Sequence, residues 1–472
     1  MQVLSLIRIR NLGLLPSRRH FTSIANTSTS SPSSSPSSST TTSSPSHGSS
    51  CEALVDSLLL STNNPNSNNN NNICLDLISS YNDLDDVSRL AFLNHLSTHH
   101  GPDLPSLSKY LSSLYTTHNP KVDTDNQTLA IDSATASSLH ELSKPRYNAL
   151  FPLLNASTTA STPTLINLRH DCLRLKGPRP LADALKDHLS KTFSPASLTL
   201  RPITYSGSPA SVIEKVAKSE SVHPLRSLPD LRSRLSPPMR CYGLFSGSLP
   251  VEAGPCVFVH VALMPGLTGE MREIEDARGR GEEHEATAAI FYSINSTQPG
   301  LSGISLGAHL IKSVASRLRS ELPLLATCST LSPVPGLRAW ALEAGRRGEI
   351  DPNCLFEGRG RFLEAADPVG EFLDVMEGGE WMDEGGRVRE VVRGPLERLA
   401  AGYLVKEKRN GKPLCGVAKF HLSNGSTLHR VTPFADMSAR GVKRSWGVMV
   451  NYVYEGEEVE GAREFAGIKV GR

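Results

Sequence analysis

The texture of the chain changes once, near Pro195, and that change limits what it can fold into. From Ile73 to about Ser194 the apolar residues recur at helical spacing. In LDDVSRLAFLNHLS, Leu84, Val87, Leu90, Ala91 and Leu93 fall near a 3.6-residue period. LHELSKPRYNALFPLLN, TLINLRHDCLRL and PLADALKDHLSKTF continue the pattern, and Pro180 in the last suits a helix start. Strand-type runs then take over, in SLTLRPITY, MRCYGLFS, PCVFVHVALM, TAAIFYSI, LATCSTL, AKFHLS and VMVNYVY. Helical stretches lie among them: VIEKVAKSES, SLPDLRSRL and LGAHLIKSVASRLRSEL. This order predicts an α+β chain, with an all-helical domain over residues 51–194 and a mixed α/β domain over residues 195–472. The charge-dense GEMREIEDARGRGEEHEA reads as a solvated loop. EGGEWMDEGGRVREVVRGPLERLAAGYLV reads as two helices with Trp381 and Leu399 in the core, and His99–His100 reads as a solvated helix end.

At 38% the hydrophobic share is low against the usual ~45–50%. Two low-complexity tracts cause the dilution: TSTSSPSSSPSSSTTTSSPSHGSS and an Asn-rich insert at 63–72, neither able to bury enough apolar surface to order itself. Residues 1–51 contain no Asp or Glu but carry Arg8, Arg10, Arg18 and Arg19 among apolar residues. On a helix, Val3, Ile7 and Leu14 share an apolar face, which is the make-up of a mitochondrial transit peptide. Residues 1–50 are therefore expected to be a transit peptide and linker. The 49 basic residues against 47 acidic ones argue against a nucleic-acid partner. No apolar run approaches the ~18–20 residues that span a bilayer, so no membrane partner is expected. Eight scattered cysteines without a C-x-x-C pair fit neither a zinc site nor a disulfide framework, and read as isolated buried thiols.

Three features can carry chemistry. The first is AAIFYSINSTQPGLSGISLGAHLIKSVASRLRSEL, a strand, a turn holding Gly300, Gly303 and Gly307, and a helix. Such a turn offers backbone N–H groups and a helix N-terminus to a pyrophosphate. It matches neither G-x-G-x-x-G nor the P-loop. The second is LLATCSTLSPVPGLRAW, which ends a strand at Ser332 without the G-x-S-x-G elbow. A serine there faces the region where ligands of α/β sheets collect, although Ser-Pro is commonly a turn former. The third is GVAKFHLSNGSTLHRVTPFADMSARGVKRSWGVMVNYVY. His421 is expected there on a strand before an Asn424-Gly425 hairpin turn, with Asp436, Arg440, Asn451 and Tyr454 in the same segment. A lone strand histidine is more often structural than catalytic.

The glycine turn resembles the Q/R-x-x-G-x-G/A turn of the acetyltransferase-like (GNAT) fold, which cradles coenzyme A. Taken together, IFYSINSTQPGLSGISLG, STLSPVPGLRAW and FHLSNGSTLHRV resemble the malonyl-CoA decarboxylase family, as do SYNDLDDVSRL, KPRYNALFPLL and VHPLRSLPDLRSRL, over roughly residues 75–470. That resemblance implies a helical domain followed by a GNAT-like catalytic domain. It also implies malonyl-CoA as substrate, acetyl-CoA and carbon dioxide as products, no metal or organic cofactor, and a homo-oligomer. By position it implies Ser332 and His421 as catalytic and substrate-binding residues. Ser302, Gly303, Ile304, Ser305, Leu306, Gly307 and Ala308 would form the coenzyme A turn, and Tyr454 a further substrate contact. The thioester carbonyl takes the electron pair released with carbon dioxide. The protein need only supply oxyanion donors, a poorly hydrated pocket and a proton for C2. His421 is expected to give that proton by titrating near neutral pH, with Ser332 as its partner or as carboxylate binder.

The chain departs from the family pattern at Ser305, where members often carry glutamate. It departs again at Ala210 after Ser208-Pro209, where animal members carry a cysteine linked to inter-subunit disulfides. A third departure is the ending VGR in place of a peroxisomal S-K-L. The expected compartment is the mitochondrial matrix. Two other readings of the same residues are a GNAT acyltransferase and a malonyl-CoA-binding protein without turnover. A Ser/His hydrolase fits less well, because no third orienting residue accompanies the pair.

Overall fold

A computed structural model describes residues 47–60, 68–117, 132–157, 161–280, 282–356, 361–454, 463–465 and 468–470. The expected transit peptide and most of its linker lie outside these residues. Eight helices come first: α1 (His47–Leu60), α2 (Asn68–Asn82), α3 (Asp86–His99), α4 (Leu104–Thr117), α5 (Ser133–Ser143), α6 (Leu150–Ser157), α7 (Ser161–Arg174) and α8 (Arg179–Thr192). Asp85 caps α3 by accepting from the N–H of Ser88, and Asp132 caps α5 the same way. Pro180 sits in the first turn of α8, where its missing N–H costs nothing.

The sheet begins after a short turn at Pro195–Ser197. Strands β1 (Leu198–Pro202), β2 (Met239–Ser246), β3 (Val257–Met264) and β4 (Ala288–Ser296) run antiparallel in sequence, and β4 pairs in parallel with β5 (Thr327–Thr330). Between these strands come α9 (Ala210–Ser219), α10 (Leu228–Arg234), α11 (Met271–Ala277) and the 16-residue α12 (Leu306–Glu321). The short β6 (Ser332–Pro333) carries the sheet onward. After it the chain forms α13 (Leu337–Arg346), α14 (Pro352–Phe356), α15 (Pro368–Gly378) and α16 (Arg387–Val405). A small hairpin of β7 (Lys408–Arg409) and β8 (Lys412–Pro413) leads to α17 (Gly416–Ser423). Then follow β9 (Thr427–Thr432), α18 (Ala439–Ser445), β10 (Met449–Val453), β11 (Arg463–Phe465) and β12 (Ile468–Val470). The strand order is β1-β2-β3-β4-β5-β10-β9-β12-β11, with β6 also on β10. The sheet is thus mixed, with antiparallel pairs on either side of the parallel β4/β5 junction.

Central strands buried on both faces explain why PCVFVHVALM is apolar throughout. Val257, Val259, Val261 and Leu263 point to one core, which also holds Leu310, Ile311, Val314 and Leu318 of α12 and Leu165, Ile166, Leu181 and Leu185 of α7 and α8. Alternate residues Ala262 and Met264 join a second cluster with Met239, Ile290, Leu331 and Met449. The helical segment and the sheet thus share one core, and residues 46–472 form one compact unit. A third cluster packs α13 to α16 on β9 and β10, with Trp381 and Leu399 inside it as expected.

Five expectations need correction. AKFHLS is helix α17 rather than a strand: Val417, Phe420 and His421 fall at helical i, i+3, i+4 spacing, which a six-residue window disguises as alternation. Asn424-Gly425 is that helix's stop, not a hairpin. The N–H of Gly425 bonds the carbonyl of Leu422, the N–H of Ser426 bonds that of His421, and Gly425 takes φ +84°, which together make a Schellman motif. The charge-dense segment holds α11, whose Met271 and Ile274 are buried. Within the Asn insert, Asn68–Asn72 begin α2 and Asn70 is buried, while 63–67 lie outside the described residues. His99 is exposed as expected, but His100 is buried.

Candidate active site

The parallel pairing of β4 with β5 ends at Phe291 and Thr330, and beyond that point the two strands part. Strand β6 turns to β10, pairing Ser332 with Val450. The gap opens into a cavity of about 350 Å³ whose lining includes Asn295, Gly303, Leu306, Ser332, Phe420 and His421. A bulge in β4 sets this region: His260 faces Ser293 and Val261 faces Phe291, so Tyr292 is the extra residue.

Ser332 and His421 are both buried, at 4% and 3% exposure. Ser332 Oγ lies 3.1 Å from His421 Nε2 and 3.0 Å from Thr330 Oγ1, to which it donates. Thr330 Oγ1 accepts in turn from the N–H of Tyr452. On the far side of the imidazole, Nδ1 lies 2.9 Å from the hydroxyl of Tyr454. The ring stacks on Tyr452 with centroids 4.7 Å apart. One assignment satisfies every group: Tyr454 donates to Nδ1, Nε2–H donates to Ser332, and Ser332 donates to Thr330.

Burial alone pushes His421 down to about 3, because no carboxylate offsets its desolvation. The imidazole is therefore neutral at physiological pH, contrary to the expectation that it titrates there. Burial likewise pushes the Tyr454 phenol upward. The site is an uncharged hydroxyl–imidazole–hydroxyl chain. Among the described residues no Asp or Glu bonds the imidazole, so it lacks the carboxylate that orients a hydrolase triad.

Helix α17 reaches the site because of a glycine. A methyl group at Gly307 would come within 2.8 Å of Phe420 Cζ, so its absence lets α17 press against the first turn of α12. A side chain at Gly300 would overlap the carbonyl of Ile166 on α7, and buried Arg169 donates to the carbonyl of Gly300. Gly303 takes φ +76°, the left-handed region that favours glycine. Of the expected coenzyme A turn, Ser302, Gly303, Ile304, Leu306 and Gly307 line the cavity. Ser305 and Ala308 are not among the lining residues, and Ser305 is exposed ahead of α12. Tyr454 reaches the site through His421 and is not among the lining residues.

Asn451 is buried and holds backbone, donating to the carbonyls of Thr268 and Thr330. Asp436 accepts from the N–H of Ser438 beneath Gly441 and Gly447 and is not among the lining residues. All eight cysteines are free thiols, and only Cys354 is exposed. Among the described residues, no three or more His, Cys, Asp or Glu are grouped to hold a metal ion, and no helix is long and apolar enough to cross a membrane.

The sequence reading missed the opposite wall. Asn295 Oδ1 accepts from Ser221, and its Nδ2 donates to Ser293 Oγ at 2.7 Å. Ser293 donates to Glu220 Oε2 at 2.6 Å, and Glu220 Oε1 accepts from the N–H groups of Val222 and His223. Burial raises Glu220, but nearby His260 and these donors outweigh it and hold the carboxyl below its usual range. Glu220 ends a short helix, and nothing in its spacing marks it as a partner of β4.

A profile of the malonyl-CoA decarboxylase C-terminal domain matches residues 196–469. The mitochondrial malonyl-CoA decarboxylase of Rattus norvegicus is 33% identical, over 82% of this chain and 80% of its own. The chain belongs to the malonyl-CoA decarboxylase family. The mitochondrial malonyl-CoA decarboxylase of Anser anser anser is 37% identical over 66% of this chain and 64% of its own. Crystal structures of malonyl-CoA decarboxylase from Rhodopseudomonas palustris and Agrobacterium vitis match at TM-scores of 0.71 and 0.72, with 30% and 29% identity. Each covers 87% of this chain, and 94% and 93% of its own. These structural matches take in the helical segment of this malonyl-CoA decarboxylase family member as well as its sheet.

Proposed function

We propose that this chain decarboxylates malonyl-CoA in the cavity between β4 and β6, with Ser332 and His421 as the catalytic pair. The bond from C2 to the free carboxylate breaks, its electron pair passes to the thioester as an enolate, and carbon dioxide leaves. Ser332 then gives its hydroxyl proton to C2, and His421 Nε2–H restores it. His421 Nδ1 takes a proton from Tyr454, which water replenishes. A neutral relay of this kind avoids a buried imidazolium, the species that burial disfavours most here. The enolate carbon is a far stronger base than a phenolate, so the transfer runs downhill. A small, largely apolar cavity favours loss of charge from the carboxylate to carbon dioxide.

Residues Ser302–Ala308 are proposed as the coenzyme A turn, with the exposed Ser305 supplying no charge to it. The observation that supports this reading most is the 3.1 Å approach of Ser332 to His421 beside Gly303 in one cavity. Incubating the purified protein with malonyl-CoA tests it. Equal amounts of acetyl-CoA and carbon dioxide are expected; binding without turnover, or coenzyme A release only with an amine acceptor, contradicts it.

Relatives whose names include "mitochondrial" and the acid-free, arginine-bearing first 51 residues support a mitochondrial matrix location. Import of a reporter fused to those residues tests the location. A homo-oligomer is proposed from family membership, and light scattering of the purified chain tests it.

A further inference from the structure

The inner cavity is too small for a whole acyl-CoA. At about 350 Å³ it lies near the lower end for ligand sites, yet the thioester it would accept carries a pantetheine arm, a pyrophosphate and a 3′-phosphorylated adenosine. A second cavity of about 560 Å³ shares Ile294, Asn295, Ser296 and Ser302 with the first. The two adjoin along these residues, and the far wall of the second belongs to α7 through His170, Leu173 and Arg174.

The groups at this outer end suit a nucleotide. Leu173 is 46% exposed, an apolar surface turned outward from a helix that is otherwise well buried. His170 beside it makes no hydrogen bond or ion pair with any described residue. Lys186 of α8 brings its ammonium to 4.0 Å from where a Cβ of Gly303 would sit, and it too has no ion-pair partner among the described residues. Arg174 contributes wall but little free charge, since Asp86 and Asp171 already hold it at 2.7–3.0 Å.

We infer that the helical segment forms the nucleotide half of the acyl-CoA site, with Lys186 and His170 facing the phosphates and Leu173 supporting the adenine. This rests on the decarboxylase reading and deepens it. The segment is then more than a support for the sheet. Arg169, through its bond to Gly300, holds α7 against the turn that both halves of the ligand must cross. A lysine without a partner beside a left-handed glycine turn, at the mouth of a cavity leading to the catalytic pair, is otherwise unexplained.

The test compares malonyl-CoA with malonyl-pantetheine, which has the same reacting end and no nucleotide. The measurements are kcat and KM for the wild type, Lys186→Ala, the double variant Lys186→Ala/His170→Ala, Leu173→Asp and the conservative Lys186→Arg. Loss of a charge-assisted contact to phosphate should lower kcat/KM for malonyl-CoA by about tenfold, through KM. The ratio of kcat/KM between the two thioesters should fall by the same factor, and Lys186→Arg should restore most of it. His170 and Leu173 line the second cavity and Lys186 lies beside Gly303, outside the hydrophobic core, and unchanged thermal melts exclude misfolding. A ratio that stays at its wild-type value in every variant, with both thioesters still turned over, overturns the inference alone. Failure of the wild type to turn over either thioester overturns the reading beneath it.

Discussion

His421 Nε2 lies 3.1 Å from Ser332 Oγ although 89 residues separate them. Each is delivered by a different device: Ser332 by a strand that leaves β4 to pair with β10, His421 by an eight-residue helix stopped at Gly425. The imidazole between them and Tyr454 is uncharged, and that property governs how the site should respond to substitution and to pH.

Tyr454→Phe removes the hydroxyl that fixes Nδ1 and leaves the ring in place. Loss of one such hydrogen bond should lower kcat by about tenfold with KM little changed. Steady-state kinetics check this, and an unaltered kcat removes Tyr454 from the relay.

The pH profile of kcat should show no inflection at an ordinary imidazole value. Burial holds His421 at about 3, so its protonation state is constant across the neutral range. A kcat that halves near pH ~6.5 on the acid side would show a titrating imidazole instead.

Stability should fall in mild acid. His421 is held at about 3 and His260 at about 4, both by burial, while an unfolded histidine titrates near ~6.5. Between those values the unfolded chain binds protons that the folded chain refuses. Stability therefore rises with pH through that window and is level, for these groups, above it. Urea midpoints at pH 5 and 7.5 measure the effect, with the lower midpoint expected at pH 5 and a smaller difference in His421→Gln.

Gly300→Ala should loosen the junction between α7 and the turn. The new methyl meets backbone, the carbonyl of Ile166, which cannot swing aside as a side chain can. Overpacking of this kind should cost about 1–3 kcal/mol in urea unfolding. Gly348→Ala is the contrasting case, since its Cβ meets no atom within 4 Å and only its positive φ is strained.

Much of this architecture is legible along the chain, for reasons that differ by element. Strands buried on both faces, such as PCVFVHVALM, announce themselves by continuous apolar runs. The long helix α12 shows its buried stripe through Leu306, Leu310, Ile311, Val314 and Leu318. Ser332 and His421 stand out only through a resemblance in motif, because neither a Ser-Pro nor a lone histidine is distinctive. The errors fall where the window is short. Eight residues give α17 too few turns to separate a period of 3.6 from one of 2, and Asn-Gly serves helix stops as readily as hairpins. The charges of α11 hide two buried residues at i, i+3. The neutral state of His421 is a tertiary property, set by Tyr452, Phe420 and Tyr454 packed around the ring. The wall of Glu220, Ser293 and Asn295 is equally illegible, since Glu220 lies more than 70 residues before the two β4 residues it supports.

The most direct test is a double-mutant cycle on malonyl-CoA turnover with Ser332→Ala, His421→Ala and the two combined. If the pair acts as one relay, each single variant should lower kcat by about 10²–10⁴-fold and the double variant by no more than the worse single one. Effects that multiply, or a single variant with wild-type kcat, would contradict a shared proton path.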